Sequence, residues 1–241
     1  IAPDFASDAD LRYTHRRDGA AEIYFVGNRS DHDVTTTATF RVAGMVPELW
    51  DPVSGSQRPL PEFSEAGGHT SVPLRFAPAQ SYFIIFRQGP RAKGANFPAI
   101  TTAAELDGPW QVAFDPQRGG PAGPVAFESL SDWTTHPDER IKYYSGTAVY
   151  RKTFDAPAAT RDKHGVSLAL GTVNSMARVA LNGRDLGVAW CAPWSVAVPP
   201  DLLKPTGNDL RITVANLWPN RLIKDASLPP DQRLAKTTWY A

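Results

Sequence analysis

The chain has 241 residues, of which 42% are hydrophobic and 21% charged, so it allows one large globular domain or two of ordinary size. Its 25 Lys and Arg residues balance 25 Asp and Glu residues, which leaves no net field to attract nucleic acid or an anionic membrane. No apolar run approaches the roughly 20 residues of a membrane-spanning helix. The sequence therefore predicts no nucleic-acid partner and no membrane partner.

The single cysteine, Cys191, excludes an intrachain disulfide and a thiolate metal cluster. Many exported bacterial proteins also lack disulfides, so the compartment stays open, and a periplasmic or secreted location in a bacterium is our expectation. The chain begins Ile1-Ala2-Pro3-Asp4, without Met or a leader. We expect it to be a piece of a longer protein, with any targeting signal further upstream.

The 22 prolines and 18 glycines favour short strands joined by turns, because a proline inside a helix costs about 3 kcal/mol. Alternation of apolar and polar residues predicts half-buried antiparallel strands. In chain order this alternation occurs at residues 38–42, 72–76, 166–170, 177–181 and 210–214. Residues 22–26 and 82–86 are more continuously apolar, which predicts central positions in their sheets.

No segment repeats apolar residues with helical spacing over three turns. A catalytic (β/α)₈ barrel needs about 250 residues with eight amphipathic helices, so we expect no such barrel in this chain. Residues 88–104 are polar and aperiodic and contain Gly and Pro, which predicts a linker. The predicted fold class is all-β: two consecutive β-sandwiches, with an immunoglobulin-like or other small sandwich at 1–87 and a second one at 105–241.

Three segments of the second domain follow a recognisable pattern. Residues 144–154 read Y-S-G-T-A-V-Y-R-K-T-F, residues 168–187 contain L-A-L-G-T-V, A-R-V-A-L-N-G and L-G, and residues 208–216 read N-D-L-R-I-T-V-A-N. In order and spacing they resemble the sugar-binding jelly roll of family 2 glycoside hydrolases. The resemblance implies that the second domain is a galactose-binding-like jelly roll.

A narrower likeness comes from residues 216–225, N-L-W-P-N-R-L-I-K-D, which resemble the segment N-x-W-x-N-R-L-I-G-D of glycoside hydrolase family 106. Similar segments of the first domain are residues 15–17, 23–26, 47–55 and 78–83. The chain departs from the family at Lys224, where Gly is usual, and it stops at Ala241, short of the family's closing strand.

The family 106 likeness implies the C-terminal region of an α-L-rhamnosidase-like hydrolase. The catalytic barrel of such an enzyme lies upstream and would remove a terminal deoxyhexose, in the first place α-L-rhamnose. The chain itself is then expected to be non-catalytic, and its expected partners are carbohydrate and that barrel.

Most glycosidases use two carboxyl groups. The candidates are Asp4, Glu48, Asp51, Glu105, Asp107, Asp138, Glu139, Asp185 and Asp225. A turn or surface role is favoured for each, and no pair stands out. Asp225 is the preferred functional carboxylate because it shares a short predicted loop with Asn216, Asn220 and Arg221, although an ion pair with Arg221 explains it equally well.

The histidines show no metal-binding spacing, so a zinc site is not predicted. Calcium stays open because its oxygen ligands follow no fixed motif, and no other cofactor is predicted. Ser195 lacks the Gly-x-Ser-x-Gly context of a serine hydrolase.

Tryptophan is the best indication of a ligand site, since six of the seven tryptophans follow the predicted linker. Aromatic rings with a few polar groups are the usual composition of a sugar site, but tryptophans also fill cores and interfaces. The predicted carbohydrate-binding residues are Trp190, Trp194, Asn216, Trp218, Asn220, Arg221 and Asp225, with Tyr143 and Tyr144 as further members of the platform. We expect the tryptophans and Arg221 to converge on one surface that faces the barrel, and the chain to self-associate where that surface is uncovered.

Three functions from different classes remain open on the sequence. The first is an accessory region that supports the catalytic barrel of a rhamnosidase-like hydrolase and contacts carbohydrate. The second is a stand-alone carbohydrate-binding module. The third is a structural or adhesive pair of sandwiches with no sugar site.

Overall fold

The fold is that of a computed structural model, which describes residues 3–160 and 165–235. The chain forms two compact units, Ile1–Thr101 and Thr102–Ala241. Strands dominate both units, and the sheets are antiparallel throughout the described residues. The predicted all-β sandwich class is thereby confirmed. Within the same residues no helix is both long enough and apolar enough to cross a membrane.

Residues 3–101 form nine strands in two sheets. The strands are β1 (Phe5–Ala6), β2 (Leu11–Asp18), β3 (Ala21–Asn28), β4 (Val34–Phe40), β5 (Val46–Trp50), β6 (Gln57–Pro59), β7 (Ser64–Ala66), β8 (His69–Phe76) and β9 (Ser81–Arg87). One sheet has the order β1-β4-β8-β7 and the other the order β2-β3-β9-β5-β6. The continuously apolar segments lie in β3 and β9, each paired on both sides, as the sequence predicts.

One apolar core joins the two sheets of the first unit. From the four-stranded sheet it receives Phe40 and Leu74, and from the five-stranded sheet Tyr24 and Ile84, all of them at most 1% exposed. These residues occupy alternate positions along their strands, so each strand points one face into the core. Two sheets that share one core in this way form a β-sandwich.

The segment predicted as a linker, residues 88–104, is partly integrated into the first unit. Asn96 is 1% exposed, and its side chain bonds to both backbone groups of Glu62 and to the Pro73 carbonyl. Arg91 lies over the Phe63 ring at 4.1 Å. The unit therefore runs on to residue 101, beyond the predicted domain end at 87, because long-range hydrogen bonds fix a segment that has no regular secondary structure.

The second unit contains eight strands among its described residues. They are β10 (Trp110–Phe114), β11 (Val125–Phe127), β12 (Thr147–Phe154), β13 (Val166–Ala169), β14 (Met176–Leu181), β15 (Arg184–Ala189), β16 (Ser195–Val198) and β17 (Asn208–Ala215). A six-stranded sheet has the order β11-β10-β12-β17-β14-β15, and β13 pairs with β16. Two short helices are α1 (Glu139–Lys142) and α2 (Pro219–Ala226).

The core of the second unit lies between these two sheets. Val179 and Leu210 of the six-stranded sheet pack with Val196 and Val198 of the smaller sheet. The predicted Asn-Gly turn at residues 182–183 joins β14 to β15, and both residues have positive φ angles, 51° and 82°, as a tight hairpin turn requires. The second unit is thus also a sandwich, and the finer jelly-roll assignment stays a prediction.

The prediction of one loop at residues 216–225 is wrong, because Pro219–Ala226 form helix α2. Pro219 occupies the first helical turn, where its missing N–H is not needed, and Arg221 pairs with Asp225 one turn later. Eight residues are too few to show helical periodicity over three turns, so the sequence pattern does not predict this helix.

We predict that Asn96→Ala lowers the stability of the first unit by about 2–4 kcal/mol, because it leaves buried backbone groups of Glu62 and Pro73 without partners. Hydrogen exchange of β3 and β9 at increasing urea concentration measures this change. The matched control is Lys93→Ala at an exposed position of the same segment, with an expected change within about 0.5 kcal/mol. Equal effects of both substitutions would show that the segment is only a tether.

Candidate functional site

Strand register places the predicted site at one end of the six-stranded sheet. In β15, β14 and β17, Ala189, Ala177 and Val214 lie side by side. Trp190 directly follows Ala189, and Trp218 lies four residues after Val214. Since β14 separates the other two strands, the two chain segments leave the sheet about 9–10 Å apart.

The tryptophans of the second unit that the structure describes differ in exposure. Trp110 and Trp133 are 4% and 8% exposed and belong to the core. Trp190 and Trp218 are each 56% exposed, while Trp194 is partly buried against the core. Packing alone therefore explains some of these tryptophans and leaves two rings available at the sheet end.

Further exposed apolar side chains lie at this end. Met176 is level with Ala215 at the start of β14 and is 46% exposed, and Leu217, next to Trp218 in the sequence, is 64% exposed. We refer to Met176, Trp190, Leu217 and Trp218 as the sheet-end surface. Sequence reasoning missed Met176 and Leu217, because an exposed position in a strand or loop has no signal in a single sequence.

Asn216 has a structural role at the end of β17. Its side-chain oxygen accepts a hydrogen bond from the Gly146 N–H at 2.8 Å, and its amide group donates to the Tyr144 carbonyl at 2.8 Å. Its backbone N–H also donates to the Gly146 carbonyl. The amide thus ties the end of β17 to the loop that leads into β12.

Ser145 joins the same loop to helix α2 and was not selected by sequence reasoning. Its hydroxyl donates to the Trp218 carbonyl at 3.2 Å and accepts from the Arg221 backbone N–H at 3.0 Å. It is 8% exposed. Serine is common in loops of every kind, so only the folded geometry identifies this role.

Arg221 and Asp225 form a buried ion pair at the centre of the segment. The Arg221 Nε donates to Asp225 Oδ1 at 2.7 Å, and a second guanidinium nitrogen bonds the same oxygen. The Asp225 carboxylate also accepts from the backbone N–H groups of Leu234 and Ala235, at 3.3 and 2.7 Å. The side chain of Asp225 is fully buried and that of Arg221 is 15% exposed.

Two opposing effects act on the pKa of Asp225. Burial raises it, but the hydrogen bonds from Arg221, Ala235 and Leu234 outweigh burial, so the pKa lies below its ordinary value. The carboxylate is therefore ionised at neutral pH and holds the residues that follow α2 against that helix.

The two tyrosines of the predicted platform have different environments. Tyr144 is 1% exposed and its hydroxyl donates to the Thr147 carbonyl, so it belongs to the core and not to a sugar platform. Tyr143 is half-buried, with the ammonium groups of Lys142 and Lys224 at 5.5 and 5.2 Å from its ring centre. The two adjacent tyrosines thus differ in burial, which the sequence alone does not indicate.

Asn220 is half-buried near the start of α2. Within residues 3–160 and 165–235 its side-chain amide makes no hydrogen bond.

No group of three or more His, Cys, Asp and Glu side chains in the same ranges has an arrangement that would hold a metal ion.

Comparison with known proteins relates the chain to glycosidases. A model of the alpha-L-rhamnosidase family, glycoside hydrolase family 106, matches residues 1–64. A Formosa agariphila protein named "Putative beta-glucuronidase" is 42% identical over 127 residues, which is 52% of this chain and 11% of that protein. The chain is thus glycosidase-related.

More narrowly, the rhamnosidase from Novosphingobium sp. PP1Y matches 97% of this chain with a TM-score of 0.86 and 35% identity. The resemblance to the rhamnosidase family is thereby confirmed. This chain spans 22% of that rhamnosidase. A β-glucuronidase from Ruminococcus gnavus matches 46% of this chain and 21% of its own length at 25% identity, but a TM-score of 0.39 is too low for a structural argument.

We predict that Asp225→Asn destabilises α2 and the residues after it by about 2–5 kcal/mol, since it leaves the largely buried Arg221 guanidinium without a counter-charge. Protection of residues 219–226 from hydrogen exchange reports this change. Glu139→Gln is the control. It removes the surface ion-pair partner of Lys224, which lies on α2 like Asp225, and it is expected to have a much smaller effect.

The same carboxylate gives the expected pH dependence. The pKa of Asp225 is lowered in the folded chain, so its stabilisation is complete above the ordinary pKa near 4 and is lost as the pH falls through the folded-state value. Protection of residues 219–226 is expected to fall in this acid range in the wild type and to lose that dependence in Asp225→Asn. An unchanged acid profile in the variant would contradict the assignment.

Proposed function

We propose that this chain is an accessory, non-catalytic region of an α-L-rhamnosidase-like glycoside hydrolase. Its role is to support the catalytic domain and to contact carbohydrate through the sheet-end surface. The observation that carries the proposal is the match to a rhamnosidase over 97% of this chain, which extends through both sandwiches. The reaction of the whole enzyme would be removal of terminal α-L-rhamnose by a pair of carboxyl groups.

The described carboxylates support a scaffold role for this region. A glycosidase general acid needs a raised pKa, as burial without a counter-charge produces. Hydrogen bonds from His15 and Arg41 lower the pKa of Asp4, and those from Arg140 and Arg178 lower the pKa values of Asp138 and Asp185. These shifts are those of structural ion pairs and are opposite to the shift of a general acid, and we therefore propose that the catalytic acid lies in another part of the enzyme.

The sheet-end surface has the composition of a sugar-contact site. Trp190 and Trp218 offer exposed rings for the C–H faces of a sugar, and Asn220, two residues beyond Trp218, offers an amide for its hydroxyl groups. Arg221 and Asp225 are already bonded to each other, and Asn216 is bonded to the loop before β12. In this proposal those three residues and Trp194 hold the surface in place, while Trp190, Trp218 and Asn220 meet the ligand.

A stand-alone carbohydrate-binding module is the second candidate, and the exposure of Trp190 and Trp218 favours it. Such a module would bind a glycan without the rest of the enzyme. A purely structural pair of sandwiches would need neither exposed ring.

We predict that the purified chain releases no nitrophenol from an aryl α-L-rhamnoside. The reason is that the pKa values of Asp4, Asp138, Asp185 and Asp225 are all lowered by cationic or N–H partners, whereas the general acid of a glycosidase needs a raised pKa. Release that a single Asp or Glu substitution abolishes would contradict the non-catalytic assignment.

We predict that Trp190→Ala combined with Trp218→Ala lowers kcat/KM of the full gene product on rhamnose-containing oligosaccharides by about tenfold, equivalent to about 1.4 kcal/mol. Unfolding of the second unit should change little, because both rings are exposed. Val53→Ala, at a 48% exposed apolar position of the first unit, is the control.

Calorimetry of the isolated chain with the same oligosaccharides separates the candidates. Binding by the isolated chain would favour the stand-alone module. Loss of activity in the full product without binding by the chain favours the accessory role, and no effect in either assay would leave the structural pair as the function.

A further inference from the structure

The five-stranded sheet of the first unit is apolar on both faces. Its inner face, with Tyr24 and Ile84, fills the sandwich core. On the outer face, strand register sets Phe25 beside Phe83 and Ile23 beside Ile85. All four are central in the sheet, and none is part of the sandwich core cluster.

The outer residues form a continuous group. The Phe25 and Phe83 rings lie 4.8 Å apart between centroids, and register places Trp50 of β5 next to Phe83. Ile85, behind them in the next row, is only 3% exposed. We call Ile23, Phe25, Trp50, Phe83 and Ile85 the outer apolar face.

The other sheet of the same unit shows what a solvated outer face looks like in this protein. Its outward pairs are Thr35 with Arg75, Thr37 with Pro73, and Thr39 with Ser71. Alternation of apolar and polar residues is the usual pattern for antiparallel sheets with one face in water. Only the four-stranded sheet follows it, so the outer apolar face is not a general property of this chain.

Polar groups surround the outer apolar face. Arg16 lies beside Ile23 on the β2 side, and Glu48 beside Ile85 on the β5 side. The Arg87 guanidinium lies 4.8 Å from the centre of the Trp50 ring, whose Nε1 donates to Glu48 at 3.0 Å. An apolar, aromatic centre with a charged rim containing Arg is the composition of a protein–protein interface.

We infer that the outer apolar face packs against another domain of the same polypeptide. This inference rests on the proposed function, in which the chain is one region of a longer glycoside hydrolase. In the similar rhamnosidase the matched region is 22% of the polypeptide, so most of that protein is available as a partner. The family match at residues 1–64 includes β2, β3 and β5 of this sheet.

The chemistry of the face favours a permanent protein partner over a sugar. Ile23 and Ile85 offer no hydrogen bond to a hydroxyl group, and interfaces between permanently associated protein surfaces are more hydrophobic than transient ones. Ile85 is already buried within the chain and the other four side chains are half-buried, so coverage of this kind would remove from water the parts of those four that are still accessible.

Hydroxyl-radical footprinting with mass spectrometry tests the inference. Labelling of Phe25, Phe83 and Trp50 is compared between the 241-residue chain and the full product of its gene. We expect labelling at least about fivefold slower in the full product, as for side chains at the centre of a packed interface. Tyr13, 39% exposed on another strand of this sheet, is the internal control and should label equally in both proteins.

A paired substitution gives an independent measurement. Phe25→Thr with Phe83→Thr keeps β-propensity and leaves the core unchanged, so the isolated chain should fold as before. In the full product the same change should restore fast labelling of Trp50. Thr37→Ser on the outer face of the other sheet is the matched control, with no effect expected.

Several outcomes would overturn the inference. Equal labelling in the two proteins, or a gene product without a further domain, would leave the face without this partner. Slow labelling already in the isolated chain would assign the cover to the chain itself, and slow labelling that depends on protein concentration would assign it to a second copy. Because the measurement uses no glycan and no turnover, its failure is distinct from failure of the carbohydrate assays.

Discussion

The pairing of β12 with β17 is the interaction on which the second unit depends. It runs over eight residues, from Thr147 opposite Ala215 to Phe154 opposite Asn208. An asparagine closes each end: Asn208 donates to the Phe154 carbonyl, and Asn216 bonds to Gly146 and Tyr144. The two ends of β12 are thereby fixed to the two ends of β17.

This double closure gives a physical reason for the two asparagines that begin and end the segment N-D-L-R-I-T-V-A-N at residues 208–216. Asn208 is fully buried, and it also bonds to both backbone groups of Lys204 and accepts from the side chain of Asn182. A buried amide with such partners loses several hydrogen bonds at once when it is replaced. The asparagines of the motif are therefore explained by strand pairing, and a sugar ligand is not needed to account for them.

At the sheet end, too, buried residues that hold the backbone in place differ from exposed residues that are free to contact a ligand. Asp225 is fully buried and bonds to one side chain and two backbone N–H groups, so it positions α2 and the residues after it. Trp190 and Trp218 face outward and contribute little to the core. Residues that are close in sequence, such as Trp218 and Asp225, thus serve different roles within ten positions.

The strands could be predicted from the sequence because alternate residues of a strand lie on the same face of the sheet, so burial of one face leaves a local pattern. The features that were missed depend on distant contacts. Asn96 belongs to the first unit through Glu62 and Pro73, and Ser145 joins α2 across more than 70 positions. Tyr143 and Tyr144 are adjacent residues of the same type, so the sequence does not distinguish them. Only the folded structure shows that Tyr144 is the one in the core.

For the apolar segments in β3 and β9, the predicted central position is correct but does not explain why their outer faces are apolar. Continuous apolar sequence predicted central strands, and both strands have neighbours on each side. A neighbouring strand satisfies the backbone edge of a strand, but it covers the faces of that strand only in part: on the outer face Ile85 is buried, whereas Phe25 and Phe83 are half-buried. In a two-layer sandwich the inner residues Tyr24 and Ile84 meet the opposite sheet, but Phe25 and Phe83 point away from it. Central position therefore does not account for the apolar residues of the outer face, and the proposed contact with another domain would cover the parts of Phe25 and Phe83 that are still accessible.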